Sequence, residues 1–525
     1  MATPKEKLTV SVFLAILFTS LWSASGIFDS IDPIVRARVA HQFVAEGKLV
    51  VESHGDRDHP STFRDAEGPY PSYFGPGQSL FFLPFDVLAS LLTHNFSMVS
   101  EQRKRVHSFF VSVPVFWFVL FINFFLCLKL ATLLRVDRFI AYLLAFTAIF
   151  GSTFWQMAKQ GQEEVQLSML LLCSLYGFLR WKQNPTAKYV WLSAASASAA
   201  LVLRLTASPI FIGIAGLYAY ELFVEHRAGQ RRRSGYLPIA GVFACTCFCA
   251  LAVVGAYNLF KTGDPLRTGY SAAEGDFSSD VLDGIIGPIM GLDRGILWTN
   301  PWLLPFIVLA WLAWRRQSRD VKVLLIVSLF LFASSIAIYC KWSTWPGDST
   351  YGARYQVHVV PLLALVFGIG TWTCLQSNAR NRRPAIPPHS ALWLVALFLF
   401  LLQFPSISFI HDLEIYQAQA SGADSTSPNA IPTRAFGQIW LRYANFFSKL
   451  RRGHPVEFTV LNPSPLPAGT LENASRWNFW PWLAEKRVGA RAAFYLKVLW
   501  VCLVGASVLS WGHAFRRMAS ESRML

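Results

Sequence analysis

Charge is scarce in this sequence. Only 15% of its 525 residues are Asp, Glu, Lys or Arg, where a soluble globular domain carries about 25%. That shortage excludes an ordinary water-facing surface. Cysteine occurs eight times, but with no zinc-ligand spacing and no disulfide framework in the loop segments. Cys127, Cys173, Cys245, Cys247, Cys249 and Cys502 sit inside apolar runs and read as small packing residues. No repeat of fixed period is visible, which argues against a solenoid or propeller. The abundance is apolar: 53% hydrophobic residues, 43 Phe and 19 Trp, with a mean hydropathy of +0.37. Such a composition suits lipid-facing helices with aromatic belts at the interfaces.

A helix needs about 20 apolar residues to cross the hydrocarbon. On that criterion spans are expected near 9–27, 107–128, 139–157, 164–179, 189–205, 207–224, 236–259, 297–314, 322–340, 356–375, 390–410 and 492–512. The fold class is therefore an all-α polytopic membrane protein of about twelve spans. The first span is expected to be a retained anchor rather than a cleaved signal peptide, since more spans follow and no small-residue cleavage site leads into a free domain.

The net charge of +16 is a topology signal rather than a nucleic-acid footprint. With the N-terminus inside, Lys5/Lys7, Arg135/Arg138, Arg180/Lys182/Lys188, the Arg227–Arg233 cluster, Arg315/Arg316/Arg319/Lys322, Arg380/Arg382/Arg383 and Arg516/Arg517 all fall on the cytoplasmic side. Short loops on the other side carry single basic residues, which is the positive-inside bias. Gln78–Thr93 is apolar but short and holds Pro84 and Asp86. Counting it as a span would invert every later loop, so it is expected to lie in the outer interface. Two long outer segments follow, 28–106 and 411–491, and the chain divides into a region 1–375 and a C-terminal region 376–525 with two spans.

Polar groups gather at the outer ends of the expected spans. Asp29 and Asp32 open the first outer loop, and carboxylates at a membrane surface are costly unless solvated or used. Asp32 also suits a helix N-cap before Pro33, whereas Asp29 lacks that explanation and is the better general base. Gly75-Pro76-Gly77 forces a turn that would present Tyr73 and Gln78 near the membrane. Glu163 and Glu164 sit at a hairpin mouth, where a helix N-terminus also favours acidic residues. Arg204 lies near the end of its span, and an arginine within a span costs about 2.5–3.5 kcal/mol on insertion scales. Arg294 and Arg354 punctuate later outer loops, and arginine is the preferred fork for phosphate oxygens.

These blocks together resemble the GT-C glycosyltransferases. The nearest branch is the bacterial polyprenyl-phosphate-sugar-dependent enzymes, related to protein O-mannosyltransferases and the lipid A aminoarabinose transferase. The resemblance runs over residues 1 to about 375. It is carried by the acidic pair after the first span, Tyr73-Phe-Gly-Pro-Gly-Gln-Ser-Leu, Arg103/Arg105 and an acidic residue opening the fourth span. Further on it is carried by Arg204, Tyr257-Asn258, Gly263-Asp-Pro, Thr268-Gly-Tyr270, Arg294-Gly-Ile-Leu, and Trp345-x-Gly347 followed by Tyr351-Gly-x-Arg354-Tyr355. Many relatives have adjacent acidic residues in the first loop, whereas here the pair is three apart, which leaves the base assignment open between Asp29 and Asp32.

The resemblance implies transfer of a sugar from a polyprenyl-phosphate donor to an extracytoplasmic glycan, lipid or protein, at a bacterial plasma (inner) membrane. It implies a base at Asp29 or Asp32, a donor-phosphate site at Arg354, Arg204 and Arg294, acceptor or metal positioning by Glu163 and Glu164, and substrate lining by Tyr73, Gln78, Tyr270 and Tyr351. Relatives differ in needing a divalent metal ion, so whether Asp29, Asp32 and Glu163 share one stays open. The competing reading is a transporter or flippase of lipid-linked saccharides, which predicts broken helices and polar groups near mid-membrane.

Overall fold

The computed structural model describes the whole chain except residues 1–3, 29, 51–71, 73, 95–99, 230–235, 269–276, 292–293, 343–351, 380–387, 411–412, 421–436, 457–469 and 525. Every regular element among the described residues is helical. The order begins α1 Pro4–Ser23, α2 Ile31–Glu46, α3 Gly77–His94, α4 Ser100–Leu133, α5 Arg138–Phe150, α6 Phe154–Gln160 and α7 Glu163–Gln183. It continues with α8 Ala187–Leu203, α9 Ser208–Arg227, α10 Tyr236–Thr262, α11 Val281–Met290, α12 Ile296–Thr299, α13 Leu303–Leu312 and α14 Arg319–Tyr339. The chain ends with α15 Val360–Ala379, α16 Pro388–Ser408, α17 Leu413–Ala420, α18 Gly437–Arg452, α19 Thr470–Ala474 and α20 Trp480–Met524.

Each of the twelve expected spans falls on one of these helices or on a helix pair. Among the described residues six helices are long and apolar enough to cross a membrane unaided, and α5 with α6, bent by 52°, makes a seventh if the pair is one span. The others are shorter, or carry polar residues within the run. The protein is an all-helical, polytopic membrane protein. In the span that ends in α15, 83% of the apolar window is buried against other helices, compared with 22% for α10 and 11% for α20. The first is a central helix, and the other two form the rim that faces lipid.

Two expected spans are broken, and each break satisfies the other. Between α5 and α6 the chain bends at Gly151–Thr153, and between α12 and α13 at Asn300–Trp302. The Thr153 N–H donates to Asn300 Oδ1 at 3.0 Å, and Trp302 Nε1 donates to Gly151 O at 2.9 Å. Irregular backbone at membrane depth is tolerated where it is buried in protein with its polar groups paired, and here the pairing is reciprocal. The bend lets α6 run to Gly161 and turn the chain back into α7.

The first long loop folds onto the bundle as two helices. α2 and α3 pack on each other, and α3 on α4. α3 presents Leu80, Val87, Leu88, Leu91 and Leu92 outward, as an interfacial helix should. Its N-terminus touches the C-terminal end of α8 so closely that a Cβ on Gly77 would lie 2.5 Å from Leu203 Cα. Only glycine fits there, and that approach joins the start of α3 to the end of α8.

The C-terminal helices close on the N-terminal one. α20 packs along α1, with Trp511 Nε1 donating to Thr19 Oγ1 at 3.0 Å and Trp500 Nε1 to Trp22 O at 2.6 Å. Beyond α16, the buried Arg442 of α18 reaches Glu414 of α17 and the carbonyls of Ser406, Phe409 and Ile410.

Candidate active site

Six charged side chains from different parts of the chain meet at one end of the helix bundle. The first turn of α7 supplies Glu163 and Glu164, both 1% exposed. α2 supplies Asp32 in its first turn and Arg36 one turn later. Arg204 caps the C-terminus of α8 in an extended conformation. Arg354 opens the 3-10 turn that leads into α15.

Arg354 is the bridge. Its Nε lies 3.1 Å from Glu164 Oε1 and its Nη2 donates to Asp32 Oδ2. Arg204 Nη1 is 2.8 Å from Glu164 Oε1 and 3.1 Å from Glu163 Oε1. Arg36 Nη2 is 2.9 Å from Glu163 Oε2, while its Nη1 donates to Gln78 Oε1 at 2.7 Å. Gln78 Nε2 in turn donates to Gly161 O at 2.6 Å, and the Arg36 guanidinium lies 4.0 Å over the Phe74 ring. Three cations thus face three anions, so the cluster is close to neutral without leaving any charge alone.

Gly161 is left-handed, at φ 78°, and a Cβ there would lie 2.5 Å from the Phe28 ring. This turn places the two glutamates directly after α6. The six residues are charged because they pair: an isolated buried ion costs several kcal/mol, recovered only by close opposite charge. For Asp32, burial alone would raise the carboxyl pKa. The Arg354 charge, with Arg36 and Arg204 beyond it, outweighs burial and holds the group below the usual carboxylate value. Asp32 is therefore ionised at neutral pH.

Beside the ion cluster opens a small cleft of about 20 Å³ lined by Glu164, Arg204, Thr206, Tyr339, Tyr355 and His358 together with apolar side chains such as Ile210 and Leu331. The Tyr339 and Tyr355 rings stack at 3.9 Å, and the Arg204 guanidinium lies 4.9 Å from the Tyr355 ring. Hydrogen-bonding capacity is left over around it. Neither oxygen of Glu163, nor Glu164 Oε2, accepts a well-aligned hydrogen bond, and the amide oxygens of Gln160, Gln162, Gln166 and Gln356 accept none. Other buried polar atoms without a hydrogen bond lie elsewhere in the bundle, at Gln42, Asn123 and Gln317 among others.

The sequence-expected residues divide three ways. Asp32, Gln78, Glu163, Glu164, Arg204 and Arg354 are brought together. Asp29, Tyr73, Tyr270 and Tyr351 lie outside the described residues. Arg294 is buried just before α12 with its N–H turned back to Gly291 O, and among the described residues no ion pair joins it to Asp32, Glu163 or Glu164. One expectation is corrected. The N-cap of α2 is Ser30, not Asp32, and the Asp32 carboxylate is directed to Arg354. Of the three residues named for a shared metal, Asp29 lies outside the described residues, and arginines occupy the near approach to Asp32 and Glu163.

Arg36 is the member that sequence reasoning missed. It lies four residues after Asp32, one helical turn, and that spacing in IDPIVRAR was the available signal.

No family model matches the chain, and no curated protein matches it. Among solved structures, the chain is similar to the crystal structure of ArnT from Cupriavidus metallidurans bound to undecaprenyl phosphate, over 99% of this chain and 76% of that one, at 14% identity and a TM-score of 0.49. It is also similar to ArnT of the same organism in the apo state, over 96% and 76% of the two chains, at 15% identity and a TM-score of 0.43.

Proposed function

We propose that this protein is a membrane glycosyltransferase that moves a sugar from a polyprenyl-phosphate donor to a hydroxyl acceptor on the extracytoplasmic face. The observation that carries the reading is Arg354, a buried arginine shared between an ionised aspartate and a glutamate. The residues around it are those that the family resemblance assigns to donor and acceptor.

The transfer needs three things. The acceptor oxygen must lose a proton, the anomeric carbon must exchange one oxygen for another, and the departing lipid phosphate must be stabilised. Asp32 is ionised and can take the acceptor proton. The bond from the anomeric carbon to the phosphate oxygen breaks with its electron pair passing to the phosphate. Arg354 and Arg204 then hold the added charge, as preorganised cations do for leaving groups. Phosphate is a stable anion at neutral pH, so no strong general acid is required. In the ligand-free arrangement Arg354 and Arg204 are held by Asp32, Glu163 and Glu164. A donor phosphate replaces a carboxylate at each guanidinium, which frees Asp32 to act as base.

The polar groups sit at one end of the spans, beside the interface where a polyprenyl donor keeps its phosphate while its tail stays in lipid. That placement favours surface chemistry over passage through the membrane.

The test is an assay in proteoliposomes with labelled polyprenyl-phosphate sugars and an envelope extract as acceptor. Label should appear on acceptor, and Asp32→Asn should slow its appearance by about 10²–10⁴ while the protein stays folded. Movement of intact donor between leaflets with no label on any acceptor would overturn the reading in favour of transport.

A further inference from the structure

A second cluster lies on the same first-loop helices, away from the arginines. His41 of α2, Asp86 of α3 and His107 of α4 converge although 45 and 21 residues separate them in sequence. His41 Nδ1 lies 3.2 Å from Asp86 Oδ2, and His107 Nε2 lies 3.3 Å from Asp86 Oδ1. One ligand atom from each of the three lies within 4.8 Å of the other two. The imidazole rings sit 4.5 Å apart, at 58° to each other.

Asp86 is 1% exposed and is the one carboxylate of α3. A buried carboxylate needs compensating charge as well as hydrogen bonds. Two neutral imidazoles donate hydrogen bonds but no charge, two charged ones at this separation repel each other, and one of each balances the carboxylate with no ligand. A divalent cation meets both needs and turns the ring nitrogens into ligands. Imidazole and carboxylate are ordinary zinc donors, with bonds of about 2.0–2.2 Å, which puts neighbouring ligand atoms of a tetrahedral site about 3.3–3.4 Å apart. The two nitrogen–oxygen separations are close to that edge, each to a different oxygen of the one carboxylate, so a small shift of the carboxylate would complete a single site. His41 is 49% exposed, which opens the cluster to solvent on one side.

We propose that His41, Asp86 and His107 form a three-ligand site for a divalent transition metal, zinc above all. The ion would fasten α2, α3 and α4 to one another. α2 carries Asp32 and Arg36, and α3 carries Gln78, which accepts from Arg36. The metal would therefore fix the spacing of the helices that build one wall of the ion cluster, from a position outside it. This site is independent of the transfer reaction and stands or falls without it.

The full chain, purified in detergent and stripped of metal by chelator, is titrated with Zn²⁺ and with Co²⁺ as a spectroscopic probe. Saturation at one equivalent is expected, with a tetrahedral visible band for Co²⁺ and a higher thermal midpoint with Zn²⁺. His41→Ala and His107→Ala should each weaken binding by at least about ten-fold, the scale set even by residues that only support ligands. His94→Ala, an exposed histidine of α3 outside the cluster, should leave it unchanged. His41 lies at the surface, so its variant should melt like the wild type in the absence of metal. Failure of the wild type to bind one equivalent would show a hydrogen-bonded triad only and overturn the proposal. Equal affinity in the wild type, His41→Ala and His107→Ala would do the same.

Discussion

The two ends of the bundle are both rich in charge, and they are built on opposite principles. At the N-terminal end of α7, Glu163 and Glu164 are 1% exposed and Arg354 is 3% exposed. At the C-terminal end of the same helix, Lys182 pairs with Glu221 at 3.0 Å and with Asp320, and Arg319 pairs with Glu221 at 3.0 Å. There Arg319 is 44% and Asp320 41% exposed. Water and salt reach Arg319 and Asp320, which limits their pairs to about 0–1 kcal/mol, although Glu221 between the cations is only 7% exposed. Charges at the first end are shielded from water and depend on one another. Breaking a buried pair by removing one partner costs about 3–5 kcal/mol, because the other charge is left uncompensated. The second end carries basic residues of the sequence's charge bias, whereas the first gathers the residues of the proposed site.

The largest expected effect comes from Arg354→Ala, which strips Asp32 and Glu164 of their shared cation. Unfolding in detergent should show a loss of about 3–5 kcal/mol, and transfer activity should disappear. Arg354→Lys should recover part of the stability but little of the activity, since an ammonium keeps the charge and loses the fork that spans two carboxylates. Normal stability and turnover in both variants would erase the distinction between the two ends.

An intermediate effect is expected from pH at Asp32. Its folded-state pKa is held below the ordinary value of about 3.9. A depressed carboxyl contributes stability that is complete above the unfolded value and is lost as pH falls through the folded one. Melting curves should therefore show wild type more stable than Asp32→Asn by a constant margin from pH 8 down to about pH 5, converging only below about pH 4. A margin that shrinks between pH 7 and pH 5 would contradict the ion pair with Arg354.

The smallest effect belongs to the open end. Arg319→Ala should change stability by less than about 1 kcal/mol, and 0.5 M salt should reduce even that. A larger loss, insensitive to salt, would mean that Glu221 depends on Arg319 as the buried carboxylates depend on Arg354.

Much of the fold was legible because lipid imposes its own arithmetic on a chain. Runs of apolar residues gave all twelve expected spans a helix in the structure, and Pro84 with Asp86 correctly marked α3 as different from them. The breaks at Gly151–Thr153 and Asn300–Trp302 went unread, although Pro301 in the second removes a backbone donor; their mutual hydrogen bonds belong to the tertiary structure alone. Within the site, Glu163, Glu164, Arg204 and Arg354 stood out because charge beside an apolar run is rare enough to need a reason. Arg36 did not stand out, since it lies in a helix of mixed polarity where an arginine is unremarked. Arg294 carried the same sequence signal as Arg204 and Arg354, and yet no ion pair joins it to the described carboxylates.

By itself the sequence determined that this chain lives in a membrane as a bundle of helices with polar groups at the ends of its spans. Hydropathy and charge are local properties, and the bilayer reads them locally. Which end groups would meet was decided by tertiary structure alone. Asp32 and Arg354 are 322 residues apart, and their pairing depends on a bend in one span, a left-handed turn at Gly161 and the close approach of Gly77 to Leu203. His41, Asp86 and His107 are further from legibility still, for no spacing connects them. A convergence of this kind is a property of three helices packed together, and a one-dimensional pattern holds no record of it.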